Sequence, residues 1–160
     1  MHGIGNDYIY IDCINNKRPQ MPEDLAKVMS NRKKGIGSDG LILIENSEIA
    51  DFKMEIYNAD GTIAQMCGNG IRCLGKFVYD KGYTNKEKIT VETLAGIKTL
   101  ELFINQGKVK KVKVDMGEPI LEPEKIPVKS LKSPAINLKL YCKDTYFLCT
   151  CVSMGNPHAV

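Results

Sequence analysis

The run Gln65-Met66-Cys67-Gly68-Asn69-Gly70-Ile71-Arg72-Cys73 decides how this chain is read. Upstream of it Phe52, Met54 and Ile56 alternate with Lys53, Glu55 and Tyr57, the period-two pattern of a strand. Downstream, Ile71, Leu74, Phe77 and Val78 recur at helical spacing until Lys81-Gly82 ends the run. Cys67 is therefore expected at or just before a helix N-terminus, where unpaired N–H groups and the positive end of the helix dipole favour a thiolate. Glycines at 68 and 70 let backbone approach whatever meets the sulfur. A small buried hydrophobe describes Cys73, within the helix, better than Cys67. Two glycines around Asn69 give up packing and helix propensity just where the first sulfur is exposed.

Working outward, residues 8–11 read as a strand. Pro22, Glu23 and Asp24 open a helix that carries Leu25, Val28 and Met29 and closes on Arg32, Lys33, Lys34 and Gly35. Residues 41–45 read as a buried strand, and Asn58-Ala59-Asp60-Gly61 as a hairpin turn. Residues 89–95, 97–104 and 108–116 read as strands, the last two joined by Asn105-Gln106-Gly107. Strands and helices mix without βαβ regularity, so the fold class is mixed α/β, α+β-like, with strands around a central helix. Four prolines (119, 123, 127 and 134) then mark a boundary near Gly117, dividing the chain into 1–116 and 117–160. Beyond it, residues 136–142 and 146–152 read as a hairpin about Lys143-Asp144, with exposed edges expected to promote association. The second unit is short for an independent domain, and the chain reads as cut short.

The chain has 160 residues, is 43% hydrophobic and carries a net charge of +3 from interspersed acids and bases. That suits a globular protein with one substantial core. The basic cluster Lys108, Lys110, Lys111 and Lys113 alternates with valines and reads as a solvated strand face, not as a nucleic-acid footprint. No signal peptide or membrane-spanning run is expected, so no membrane partner either. The six cysteines lack C-x-x-C spacing and read as free thiols in a reducing cytoplasm.

Three other patterns carry less. Gly35-Ile36-Gly37-Ser38-Asp39-Gly40 has the spacing of a dinucleotide loop, but a helix precedes it and a strand follows, the reverse of what that loop needs. It reads as a helix-to-strand turn. Cys149 and Cys151 place two thiols on one strand face without further ligands, so no metal is expected. His158 follows Pro157 in a polar loop, a place where functional groups are often presented.

Taken in order, Met1-His2-Gly3-Ile4-Gly5-Asn6-Asp7, residues 35–40, Asn58-Ala59-Asp60-Gly61, residues 65–73 and Met154-Gly155-Asn156-Pro157-His158 resemble the diaminopimelate epimerase family. The resemblance implies a fold of two similar domains facing across a cleft, here one complete and the start of a second. It implies an isomerase that interconverts LL- and meso-diaminopimelate in lysine biosynthesis without cofactor or metal. Inverting a carbon centre needs one group to take a proton on one face and another to return one on the opposite face. A thiolate and a thiol can do this, so no pyridoxal group is required. By resemblance Cys67 is one such group, and Gly68, Asn69, Asn6, Asn58 and Asn156 bind the small-molecule substrate. His158 tunes the protonation of the cysteines, and a homodimer is left open.

Three departures accompany the resemblance. Gly40 stands where some members carry a substrate-contacting glutamine, the family has a few residues before Met1-His2-Gly3, and Cys67-Gly68 is the single Cys-Gly in the sequence. The second cysteine of the pair is thus missing, and the 160-residue chain alone is expected to be inactive. Competing readings are another two-base racemase or isomerase, an inactive fragment that at most binds ligand, and a Cys–His hydrolase using Cys67 and His158.

Overall fold

Ile4 (φ 55°) and Gly5 (φ 85°) both take left-handed backbone and turn the chain back on itself. They pair β1 (His2–Gly3) antiparallel with β2 (Asn6–Asp12). In this computed structural model, which describes residues 1–160, helix α1 (Pro22–Ser30) follows, with proline in its first turn beside Glu23 and Asp24. It stops at Ser30, short of the basic run expected to close it. Asn31 takes extended backbone, and its side chain accepts from the N–H groups of Lys33 and Lys34, an Asx turn that competes with further helix.

Next come β3 (Gly40–Glu45), β4 (Phe52–Asn58) and the two-residue β5 (Ile63–Ala64), then helix α2 (Gly68–Asp80). The expected hairpin turn forms at Asn58, whose N–H donates to Thr62 O while Gly61 N–H donates to Asn58 O. Helix α2 ends as the Lys81-Gly82 signal suggested, with Gly82 at φ 80° and N–H groups of Lys81 and Gly82 returning to Phe77 O and Tyr79 O. Strands β6 (Lys88–Thr93), β7 (Gly96–Asn105) and β8 (Lys108–Asp115) complete the sheet. The expected strand over 89–95 stops at Thr93, because Gly96 at φ 86° makes the turn into β7.

These eight strands form one sheet in the order β1-β2-β3-β4-β6-β7-β8, with β5 on β4. Within this mixed order, as expected without βαβ regularity, two parallel steps occur. β2 and β3 pair in parallel with α1 between them in sequence, and β4 and β6 pair in parallel with α2 between them. The chain conceals this because each parallel step is followed by antiparallel hairpins, which break the strand–helix alternation that would announce it.

Strand β3 sets the two layers. Leu41, Ile42, Leu43 and Ile44 are all fully buried, so both faces of the sheet are covered there. Leu41, Leu43 and Tyr57 pack with Ala26 of α1, and Ile9, Ile11 and Leu25 close around them. Side chains alternate along a strand, so the opposite face carries Ile42, Ile44, Met54 and Ile56. Helix α2 lies against β1, β2, β7 and β8. Its Gly75 admits Leu100 and Leu102, whose methyls would stand 2.9 and 3.0 Å from an added Cβ.

The chain divides into two compact units, Met1–Asp115 and Met116–Val160. In the second, a 3-10 turn at Pro123–Lys125 precedes the hairpin β9 (Leu138–Cys142) and β10 (Thr145–Cys149). Ile126, Ala135 and Cys151 form its small core. The single return strand expected over 146–152 is broken at Thr150. Cys151–Ser153 is a separate strand β11, paired with β12 (Pro157–Ala159), and Thr150 and Val160 exchange both backbone hydrogen bonds. Cys149 and Cys151 thus fall on different strands, and His158 lies in β12 opposite Val152 instead of in a loop.

Candidate active site

Cys67 is the N-cap of α2. Its backbone is extended (φ −141°, ψ 108°), and its Sγ accepts from Gly70 N–H at 3.3 Å, taking up one donor of the first helical turn. Gly70 is fitted closely to this arrangement, since a Cβ there would come within 2.6 Å of Ile42 Cδ1 and 3.5 Å of the sulfur. The thiol, Gly68 and Asn69 are all half-buried.

Strand β2 brings the other half of the site. Asn6, Tyr8 and Tyr10 share the sheet face that α2 covers, and pairing places Tyr8 beside Gly40 and Gly40 beside Asn58 on that face. Cys67 Sγ–H donates to Asn6 Oδ1 at 3.4 Å, and Asn69 Nδ2 donates to the same oxygen at 3.4 Å. Tyr10 O–H donates to Gly70 O at 3.1 Å. Asn58 uses its Nδ2 to reach Thr62 Oγ1 at 3.0 Å, bracing its own turn.

The two amides are oriented from both ends. Asn6 Nδ2 donates to Asp39 Oδ2 at 2.8 Å, and a carboxylate only accepts. Arg72 donates to Asn69 Oδ1, and a guanidinium only donates. Each amide can then stand one way round, with Asn6 presenting oxygen to the sulfur. Asp39 is itself held by Arg32 at 2.9 Å and by the N–H of Asp7 at 3.0 Å. The Arg32 guanidinium, hydrogen-bonded to Asp7, also holds that carboxyl below its usual range.

The loop over residues 35–40 exists to place Asp39. Gly35 lies so near α1 that a Cβ would stand 2.3 Å from Val28 O, and Gly37 takes φ 83°. Buried Ser38 donates to Gly40 O at 2.9 Å and meets Ser30 Oγ at 3.0 Å. Asp39, Arg32 and Arg72 escaped the reading of the sequence, and no periodicity marks them.

Of the residues expected at the site, Cys67 and Asn69 both meet Asn6, Gly68 opens α2 between the two, and Asn58 lies on the same sheet face as Asn6. Asn156 and His158 belong to the second unit, where they are exposed and His158 Nε2 lies 3.1 Å from Asn156 Oδ1. All six cysteines are unpaired, and no three His, Cys, Asp or Glu side chains gather as metal ligands would. No helix is long and apolar enough to cross a membrane.

This fold, a helix packed over a mixed sheet, is shared with solved structures that include a hydroxyproline epimerase and a probable proline racemase. A probable proline racemase from Agrobacterium radiobacter superposes with a TM-score of 0.62 at 13% identity, over 94% of this chain and 47% of that one. At that identity the likeness speaks for the fold alone. A sequence profile of the diaminopimelate epimerase family matches residues 1–122, and the chain belongs to that family. It is 60% identical to a diaminopimelate epimerase of Methanococcus maripaludis and 59% identical to one of Acetivibrio thermocellus, each over all 160 residues. The chain spans 57% of the length of each of these relatives.

Proposed function

We propose that this chain is the amino-terminal part of a diaminopimelate epimerase. In this reading residues 1–116 are one epimerase domain and 117–160 the start of a similar second one. The observation that carries it is the contact of Asn6 with both Cys67 and Asn69 at the start of α2, in a chain of this family.

Cys67 takes or returns the α-proton on one face of the carbon, and a second group, supplied by sequence beyond residue 160, serves the other face. Gly68, Asn69 and Asn6 bind the amino-acid end of the substrate with Asn58 and Asn156, since amides donate to a carboxylate and accept from an ammonium. His158 adjusts the protonation of the cysteines. N–H donors on the bound carboxylate and exclusion of water make the α-hydrogen removable, so neither metal nor pyridoxal group is needed. The enzyme serves lysine biosynthesis in the cytoplasm, a compartment favoured by six cysteines without C-x-x-C spacing.

The test compares the 160-residue chain with a form extended to the length of its relatives, using LL-diaminopimelate as substrate. The extended form is expected to produce the meso isomer and to lose about a thousandfold in turnover on Cys67→Ser. The short chain is expected to be inactive. Robust turnover by the short chain would remove the need for a second group, and preference for proline or hydroxyproline over diaminopimelate would reassign the substrate.

A further inference from the structure

We propose that Asp39, anchored by Arg32, is a positioning residue for the site, holding the amide of Asn6 so that its oxygen alone faces Cys67 and Asn69. The Asp39 carboxylate is fixed from three directions. Arg32 meets Oδ1 at 2.9 Å, the N–H of Asp7 donates to Oδ2 at 3.0 Å, and Asn6 Nδ2 donates to that same Oδ2 at 2.8 Å. The peptide of Asp39 is held as well. Its N–H donates to Asp7 O at 2.8 Å, and its carbonyl accepts from Ala59 N–H at 3.0 Å.

Distances decide which partner sets the amide. Asn69 Nδ2 reaches Asn6 Oδ1 at 3.4 Å, long for an N–H···O bond, and Cys67 Sγ at the same distance is a weak donor. The bond to Asp39 is short and its acceptor is charged, so it is the strongest of the three. Turning the amide over would break that bond and set N–H donors of Asn6 and Asn69 against each other. Asn69 is not free to yield, because its own oxygen is held by Arg72.

Stability does not account for this arrangement. The Arg32 side chain is 58% exposed and that of Asp39 42%, and ion pairs so open to water contribute little to folding. Asp7 supplies an internal control. Its carboxylate is bonded by the same Arg32 guanidinium, but its side-chain hydrogen bonds go to Arg32 and not to Asn6. The inference deepens the proposed function, in which Asn6 binds substrate, and its first test requires no turnover.

Exchange of the Asn6 side-chain amide protons with water is followed by proton–nitrogen NMR in the 160-residue chain, the Asn6 signals being assigned by their loss in Asn6→Ala. Asp39→Ala removes one charge-assisted hydrogen bond and is expected to speed that exchange about tenfold, whereas Asp7→Ala should leave it within about twofold. Should Asp39→Ala fail to fold by circular dichroism, the isosteric Asp39→Asn takes its place, with a rise of at least about threefold expected. Unchanged exchange, or equal increases in the Asp39 and Asp7 variants, overturns the proposal.

In the form extended to the length of its relatives, Asp39→Ala is then combined with Asn6→Ala. A residue that acts through Asn6 adds no more than about twofold to the loss in kcat/KM that Asn6→Ala already causes, and multiplied losses overturn the proposal. Faster exchange in Asp39→Ala, together with an extended form that does not turn over diaminopimelate, keeps the positioning role and removes the substrate reading. Unchanged exchange beside an active extended enzyme does the reverse.

Discussion

Gly40 shows how tightly single residues are constrained around the thiol. A Cβ at this position would lie 2.2 Å from Tyr57 O, 2.9 Å from Tyr8 Cε1 and 3.1 Å from Asn58 Cα. Two of these contacts are backbone atoms of the neighbouring strand, which cannot rotate away. Gly40→Ala is expected to cost about 2–4 kcal/mol, read as a lowered urea midpoint with little change in slope. A loss below about 0.5 kcal/mol would mean that the strands separate more readily than their packing implies. Cys67, Asn69 and Asn6 were legible in the sequence because their motif and local helix signal coincide. Asp39 was not, because it lies in a loop without periodicity and its partner Asn6 stands 33 residues away.

At the scale of elements, the loop after β2 is pinned to the central strands by one charged cluster. Arg18 pairs with Glu55 at 2.7 Å and Glu45 at 3.0 Å, and Lys53 pairs with Glu55 at 2.7 Å. Burial pushes the Glu55 carboxyl up, but hydrogen bonds from Arg18, Lys53 and Tyr57 outweigh it and hold it at about 2. A depressed carboxyl stabilises the fold above its unfolded value of 4.5, and that contribution fades as pH falls toward about 2. Discounted for the partly exposed Arg18, it amounts to about 1–2 kcal/mol. Urea unfolding at about pH 5 and about pH 2 should therefore show a smaller acid loss in Glu55→Gln than in the parent, by that amount. Equal losses would assign the acid sensitivity to other carboxylates. The strands and helices here were largely readable, since β3, β4 and α2 carry clean apolar periods. The parallel pairings were not, because pairing partners are chosen by both covered faces of β3 and no local pattern records them.

Across the whole molecule, all eight strands of the main sheet and both α-helices fall within Met1–Asp115. Residues 1–115 alone are expected to unfold cooperatively in urea, with a midpoint within about 0.5 M of the main transition of the 160-residue chain. A non-cooperative transition would show that the second unit is needed to hold the first. In that second unit Tyr141, Tyr146, Phe147 and Leu148 are each more than half exposed on the β9–β10 hairpin. Such a surface favours association. Sedimentation should find 1–115 monomeric at concentrations where the longer chain self-associates. One feature of the site also bears on how it comes into being. The hydrogen bond between Asn6 and Cys67 joins residues 61 apart, and α1, β3, β4 and β5 lie between β2 and α2 in the chain. Closing so long a loop is slow relative to forming a helix or a hairpin. During refolding, then, the sulfur meets Asn6 only after its own helix has formed, and the change in its reactivity toward a pulse of reagent would serve as a clock for the moment the first strands dock.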